Sequence, residues 1–360
     1  MFENRESQCY IKRMRVIHSL ALFLAALLFV TLSGCAPPDP EYYTPALDGY
    51  EGITTASGDS PAVLTYPGLT VDAPSSNTIE ADGFLTLQGS VDGTESETGY
   101  ALITLYRRDD ATLSTSYFVK GDFTEDIWLR FGLGEYRLDV YNITSIDVDL
   151  EGEGAIWGYS YNTTPAYRFN VTNTRNEDGR YIYPSAFIQS DNDDLVQEAL
   201  DIAAGEESPL DIARALHDYV VTYLYYDYDS LESGSRKKQD AVSVYLHGNA
   251  VCEGYTTLYN SLLRAVGIPA AYVQGETSAG LHAWSYVEIE GDWKYIDVTW
   301  DDPIWKGNND YPDGENLSTE WFWLDELDDH VVTKIYSSRD MLPSPVPGPV
   351  KIQGYPPGWY

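Results

Sequence analysis

The stretch Gly248-Asn249-Ala250-Val251-Cys252-Glu253-Gly254-Tyr255 decides how this chain is read. It leads into Tyr255, Leu258, Tyr259, Leu262, Leu263 and Val266, apolar residues at helical spacing, and Gly267 followed by Pro269 ends the run, as a C-terminal glycine and a later proline do. The spacing predicts a buried core helix with Cys252 at or just before its first turn. There, unpaired backbone amides and the positive end of the helix dipole favour a thiolate and offer N–H groups to an oxyanion. Taken alone, a cysteine near a helix start is more often a small buried hydrophobe. What the rest of the chain brings to Cys252 therefore decides its role.

Downstream, Leu281-His282-Ala283-Trp284-Ser285-Tyr286-Val287-Glu288-Ile289 and Trp293-Lys294-Tyr295-Ile296-Asp297-Val298-Thr299-Trp300 read as two strands joined at Glu290-Gly291-Asp292. With Glu290 and Gly291 as the loop residues, Ile289 faces Asp292, His282 faces Thr299, and Asp297 is the diagonal neighbour of His282 on one face. Diagonal Cβ atoms on paired strands lie roughly 7 Å apart, within reach of an imidazole–carboxylate hydrogen bond. A loop at Gly291-Asp292 keeps the shared face and increases the stagger. A cysteine, a histidine base and a carboxylate that fixes the imidazole tautomer form a nucleophilic triad. No Cys-x-x-Cys or His-x-x-x-His spacing supports a metal site, so none is assigned, and no cofactor is expected.

Val251-Cys252-Glu253-Gly254-Tyr255, Leu262-Leu263-Arg264, Gly267-Ile268-Pro269-Ala270, Gly275, His282-Ala283-Trp284 and Asp297-Val298-Thr299-Trp300-Asp301 together resemble the bacterial transglutaminase-like domain family. The resemblance runs from about residue 195 to 303, less than a third of the chain. It implies a papain-like α+β core with Cys252 as nucleophile, His282 as base and then acid, and Asp297 as orienter. An upstream oxyanion donor is not fixed by the motifs. Asn249 and the Cys252 backbone amide are the candidates, and Trp284 and Trp300 are candidate walls of a substrate groove.

The chain holds three cysteines, and the other two have separate fates. Cys9 lies in an N-terminal extension. Cys35 closes Leu32-Ser33-Gly34-Cys35 after the basic residues Lys12, Arg13 and Arg15 and an apolar run from Leu20 to Leu32. That run is shorter than the about 20 residues a spanning helix needs and suits a signal-peptide core. It looks like a prokaryotic lipoprotein signal over residues 1–34, with Cys35 left to carry lipid; Met14 opens a complete signal of its own and is a second candidate start. The expected location is extracytoplasmic, anchored by lipid to the cell membrane or outer membrane.

A formal net charge of -34 repels nucleic-acid phosphate and gives the surface no attraction to an anionic bilayer, so membrane contact is expected through Cys35 only. Acidic runs at 147–151 and 308–310 lack the spacing of a calcium loop.

Residues 35–61, rich in Pro, Gly, Ser and Thr, are expected to form a flexible tether. Between 62 and 174 short alternating runs recur: Leu85, Leu87 and Val91, then Ala101, Ile103 and Leu105, then Tyr136, Leu138 and Val140. Period-2 patterning at this spacing predicts an antiparallel β-sandwich, and Gly134-Glu135-Tyr136-Arg137-Leu138-Asp139-Val140 resembles the immunoglobulin-like strand that carries a corner tyrosine. The transglutaminase-like domain is placed at 182–342. In it a helix is expected over 194–204, and a second starts with Ser208 as N-cap and Pro209 at its first position, its apolar face formed by Leu210, Ala213, Leu216, Val220 and Leu224. His217 on that helix is read as packed or half-exposed rather than as a ligand. Residues 343–360 form a Pro-rich tail.

The fold class expected is thus α+β, a papain/transglutaminase-like domain preceded by an immunoglobulin-like β-sandwich. The function expected is that of a thiol enzyme acting on protein or peptide substrates at the cell envelope through an acyl-thioester on Cys252. Hydrolysis, by a protease or amidase, is preferred over transglutaminase-type cross-linking because water is the default acceptor. A rival from another class is a cell-surface binding protein that uses the β-domain, with the thiol fold inactive.

Overall fold

The computed structural model describes residues 49–148, 156–233, 237–302 and 318–336. The signal segment with Cys35, the acidic run at 308–310, most of that at 147–151 and the Pro-rich tail lie outside these residues. Among the described residues no helix is long and apolar enough to cross a membrane.

The first half is built from strands β1 (Gly52–Ser57), β2 (Leu69–Ala73), β3 (Thr78–Asp82), β4 (Phe84–Val91), β5 (Tyr100–Arg107), β6 (Ser114–Trp128), β7 (Gly134–Val148), β8 (Ile156–Tyr161) and β9 (Tyr167–Asn173). Their hydrogen-bonded order is β1-β3-β9-β7-β5-β6-β4-β2, with β8 beside β7. β6 changes partner at Gly121: residues before it pair with β5, those from it onward with β4. Gly121 has φ 59, a backbone state that glycine reaches without a Cβ clash. The alternation read from the sequence holds, since Leu85, Leu87, Val91, Ala101, Ile103, Leu105, Leu138 and Val140 all enter one buried cluster. Each of the Leu, Ile and Val side chains among them contributes about 1.5–3 kcal/mol on burial. Tyr136 is fully buried and its hydroxyl donates to the Gly132 carbonyl at 2.6 Å, the upstream backbone contact of a corner tyrosine. Two features differ from expectation. Gly52–Ser57, expected within the tether, is a strand because it pairs antiparallel with β3, and β3 pairs parallel with β9.

The second half opens with α1 (Asp193–Ala203) and α2 (Pro209–Tyr223). Asn192 caps the first, and the Ser208 hydroxyl accepts from the Asp211 amide at the start of the second, where Pro209 has no N–H to lose. The buried face of α2 is Ile212, Ala213, Leu216, His217, Val220 and Val221; Leu210, expected on that face, is 37% exposed. Short elements β10 (Tyr225–Tyr226), α3 (Tyr228–Ser233), α4 (Ala241–His247) and β11 (Asn249–Ala250) lead into α5 (Cys252–Ala265). Every residue of α5 from Gly254 to Ala265 is buried.

The sheet that α5 packs on runs β14-β13-β12-β15, all antiparallel, from β12 (Ala270–Thr277), β13 (Gly280–Ile289), β14 (Asp292–Ile296) and β15 (Val331–Tyr336). Leu258, Tyr259, Leu262 and Leu263 share a core with Val287, Ile289, Ile296 and Val298. The far end of α5 is tied down by Arg264, fully buried, which donates to the carbonyls of Ala270 at 2.7 Å and Tyr183 at 2.9 Å. The Tyr183 carbonyl also accepts from Arg130, just past the end of β6, at 2.6 Å, so one peptide oxygen joins the β-rich half to the central helix.

Candidate active site

Cys252 is the first residue of α5 and half-buried, with no disulfide. Its helix lacks a side-chain cap from Val251. Gln239 supplies one instead, its Oε1 accepting from the Val251 and Gly254 amides at 3.1 Å each. The glycine of Cys-Glu-Gly-Tyr follows from the same crowding: a Cβ at Gly254 would lie 2.5 Å from Ala250 Cβ and 2.6 Å from Gln239 Oε1. The first turn is thereby held close to β11 and to Gln239.

His282 lies on β13, beside Gly275 of β12 in the ladder. The β13–β14 hairpin has the register read from the sequence, Ile289 opposite Asp292, with Glu290 (φ 55) and Gly291 (φ 88) as its two loop residues, the backbone of a type I′ turn. The expected second strand is shorter than read. It ends at Ile296 because Asp297 Oδ1 accepts from the Thr299 and Trp300 amides at 3.0 and 3.2 Å, turning the chain. That turn aims the other oxygen, Oδ2, at His282 Nε2 across 2.7 Å. Cys252 is the other group that acts on the His282 imidazole.

Burial alone would push His282 down; the Asp297 carboxylate and Cys252 reverse this and raise it to about 10. Burial would likewise raise Asp297, yet the charge and hydrogen bond of His282, with those of His330, hold it well below the usual carboxylate range. The geometry therefore stabilises the charged forms of both.

The structure thus brings Cys252, His282 and Asp297 together. Of the groove candidates, Trp300 remains half-exposed and lies against His282, ring centres 5.6 Å apart. Trp284 is a correction: it is 1% exposed and forms a wall behind His282, because residues two apart on a strand share a face and that face is covered by Leu327 and Trp321. The Asn249 amide is engaged by the Tyr225 hydroxyl at 3.1 Å. The phenol of Tyr226 also lies near Cys252, raised by burial and by the charge of Cys252. His217, read as packed or half-exposed, is wholly buried, its Nδ1 2.8 Å from Asp218 and its Nε2 3.0 Å from Asp301.

One residue was missed. His330, just before β15, has a buried side chain whose Nε2 is 3.0 Å from the same Asp297 Oδ2. Its signal was the run Val331-Val332-Thr333-Lys334-Ile335-Tyr336, whose β-branched residues mark a strand able to carry the preceding histidine. His282, Asp297 and His330 are the grouping among the described residues whose donor atoms gather, within 4.8 Å, as a metal site would need. Both nitrogens point at one carboxylate oxygen at hydrogen-bond distances, so protons account for the contacts.

The transglutaminase-like superfamily profile matches residues 197–298. Among curated proteins, kyphoscoliosis peptidase of Mus musculus is 26% identical over 119 residues, 30% of this chain and 17% of that protein. Its Homo sapiens counterpart is 25% identical over the same shares. The chain thus spans under a fifth of those relatives. Among solved structures, a candidate cysteine protease from Cytophaga hutchinsonii is 16% identical, covering 60% of this chain and 74% of that one with a TM-score of 0.31. Red sea bream transglutaminase is 12% identical, covering 65% and 50%, with a TM-score of 0.22. On the ordered motifs and the profile match, residues 197–298 are a domain of the transglutaminase-like superfamily.

Proposed function

We propose that this protein is a thiol enzyme that cleaves amide bonds of proteins or peptides, with water as the acceptor. The observation that carries the reading is the convergence of Cys252, at the start of α5, on His282, whose imidazole is held by Asp297 at 2.7 Å. The Cys252 sulfur attacks the amide carbonyl, forming a C–S bond and an oxyanion that faces the Cys252 backbone N–H and the Tyr226 hydroxyl. Collapse breaks the C–N bond, and the His282 imidazolium passes its proton to the departing amine. Water then attacks the thioester while His282 takes its proton, which releases the acid and restores the thiol. Asp297 holds the imidazole tautomer and the charge throughout. Water is preferred because the same groups serve it without a second binding site for an amine, and the curated relatives are named peptidases.

The β-rich half is inferred to be an immunoglobulin-like sandwich, supported by the partner change of β6 and the buried Tyr136, and to serve as a spacer or binding module. Lipid attachment at Cys35 and an extracytoplasmic position are proposed from the signal-like residues 1–34.

The test is to incubate the full chain and Cys252→Ala with glutamine-containing peptides, with and without a primary amine. New peptide termini or ammonia, together with a thioester adduct located on Cys252 by mass spectrometry, support hydrolysis. Amine incorporation faster than ammonia release without amine would make the enzyme a cross-linker. Product formation equal in both proteins would remove Cys252 from the chemistry.

A further inference from the structure

The Asp297 carboxylate is fully subscribed. Oδ1 takes two backbone amides, and Oδ2 takes two imidazoles, His282 at 2.7 Å and His330 at 3.0 Å. A triad needs one imidazole on its carboxylate, so the second requires its own account. The His330 ring has Nε2 toward a carboxylate oxygen and Nδ1 2.8 Å from the Asp328 carbonyl. Both neighbours accept and neither donates, so only the imidazolium, with a proton on each nitrogen, satisfies both contacts. The ring is enclosed by Trp284, Trp300 and Trp321, with centroids at 4.9, 4.5 and 5.2 Å. Its placement is built into the fold: β15 pairs with β12 at Gly275, where a Cβ would lie 2.1 Å from the Val331 carbonyl oxygen and 2.4 Å from the Trp284 ring. Glycine there lets β15 come close enough to deliver His330.

We propose that His330 is a positioning residue of this site: held as an imidazolium between the Asp328 carbonyl and Asp297 Oδ2, it fixes the carboxylate that orients His282 and offsets part of that carboxylate's charge. The inference rests on the reading of Cys252 and His282 as nucleophile and base. A carboxylate serving His282 alone would hold the imidazolium proton tightly, and a tightly held proton passes poorly to a departing amine. A second cation with its ring centre 5.6 Å from that of His282 weakens the hold while leaving the orientation intact. The titratable groups around the pair are Asp297 after β14, Cys252 on α5, Tyr226 on β10 and, beside His330 itself, Asp329, whose carboxylate is bound by Ser278.

The experiment is the rate of Cys252 alkylation by iodoacetamide from about pH 4 to 10 in the full chain, in His330→Gln and in His330→Ala, with thermal melts of all three. Glutamine keeps a donor toward Asp297 and removes the charge. It should preserve rapid labelling at low pH and move the upper inflection, loss of the His282 proton, up by about one pH unit. Alanine removes donor and charge together; low-pH labelling should fall about tenfold and be partly restored by added imidazole. Superimposed profiles, with only the melting temperature changed, would make His330 a packing residue. A downward move of the inflection in His330→Gln would overturn the charge role. A wild-type profile without rapid low-pH labelling would instead remove the Cys252–His282 reading, and this inference with it; should His330→Ala fail to fold, the glutamine variant decides alone.

Discussion

His217 and His282 are both buried against carboxylates, and they differ in what their second ring nitrogen meets. His217 spends one nitrogen on Asp218 and the other on Asp301. His282 spends one on Asp297, and Cys252 is the other group that acts on its ring. Both are raised despite burial that opposes it, and the opposing cause is in each case a carboxylate partner. A buried His–Asp pair with a shifted titration is therefore no mark of catalysis in itself. A nitrogen left over for a nucleophile is what separates the two clusters.

Their surroundings differ to the same effect. Asp301 also accepts from the Ser318 hydroxyl at 2.6 Å and the Trp321 amide at 3.2 Å, so the His217 cluster pins α2 to the segment that returns toward the site. Trp321 in turn lies against Trp300 and His330. The His217 cluster thus fastens the segment that packs against Trp300 and His330.

The same substitution in each cluster should give the widest separation. Asp297→Asn removes the charge that stabilises the His282 imidazolium and favours the wrong tautomer, with an expected loss of about 10³–10⁴-fold in turnover. Asp218→Asn should leave turnover within about twofold, because no reacting group touches Asp218. Peptide hydrolysis by both variants, normalised to folded protein, is the measurement; equal losses would abolish the distinction.

That distinction was half visible in the sequence. The hairpin register could be read because Glu290-Gly291 sits between two clear alternating runs, and register follows from turn length and pattern. Cys252, His282 and Asp297 could be read because short-range structure, a helix start and a hairpin, fixes all three. His217 looked featureless because its partner Asp301 is 84 residues away and no local pattern announces such a contact. His330 was hidden for the same reason, since its place depends on β15 pairing with β12 across more than fifty residues. Trp284 was misjudged because alternation gives the face of a strand and not what covers it.

Next in size is stability. His217→Leu fills the space but leaves Asp301 buried without its cation, and removing one member of a buried ion pair costs about 3–5 kcal/mol. Denaturant unfolding should show this while specific activity of the folded fraction changes little. Its pH dependence sharpens the case. His217 is raised in the folded protein, so its stabilisation is complete below the unfolded value of about 6.5 and is lost as pH rises through the folded one. The variant should lack that decline, and its deficit against wild type should be largest in mild acid and shrink toward alkaline pH. A deficit constant with pH would mean that His217 stabilises by packing alone.

The smallest effect is expected from Asp218→Asn on stability. Asp218 is held low, against burial that raises it, by the hydrogen bond and charge of His217, and its side chain is 33% exposed. Solvent screens it, and an asparagine oxygen still accepts from Nδ1–H, so the cost should be about 1 kcal/mol. The sign is opposite to that of the histidine: a lowered carboxylate stabilises above its unfolded value of about 3.9 and loses this as pH falls. The variant should therefore unfold less steeply with acid than wild type. Were the cost instead to match that of His217→Leu, Asp218 would be the principal counter-ion, and Asp301, although fully buried, would serve mainly to anchor Ser318 and Trp321. The fastening would then be a set of neutral hydrogen bonds, and the contrast between the two histidines would rest on the thiol alone.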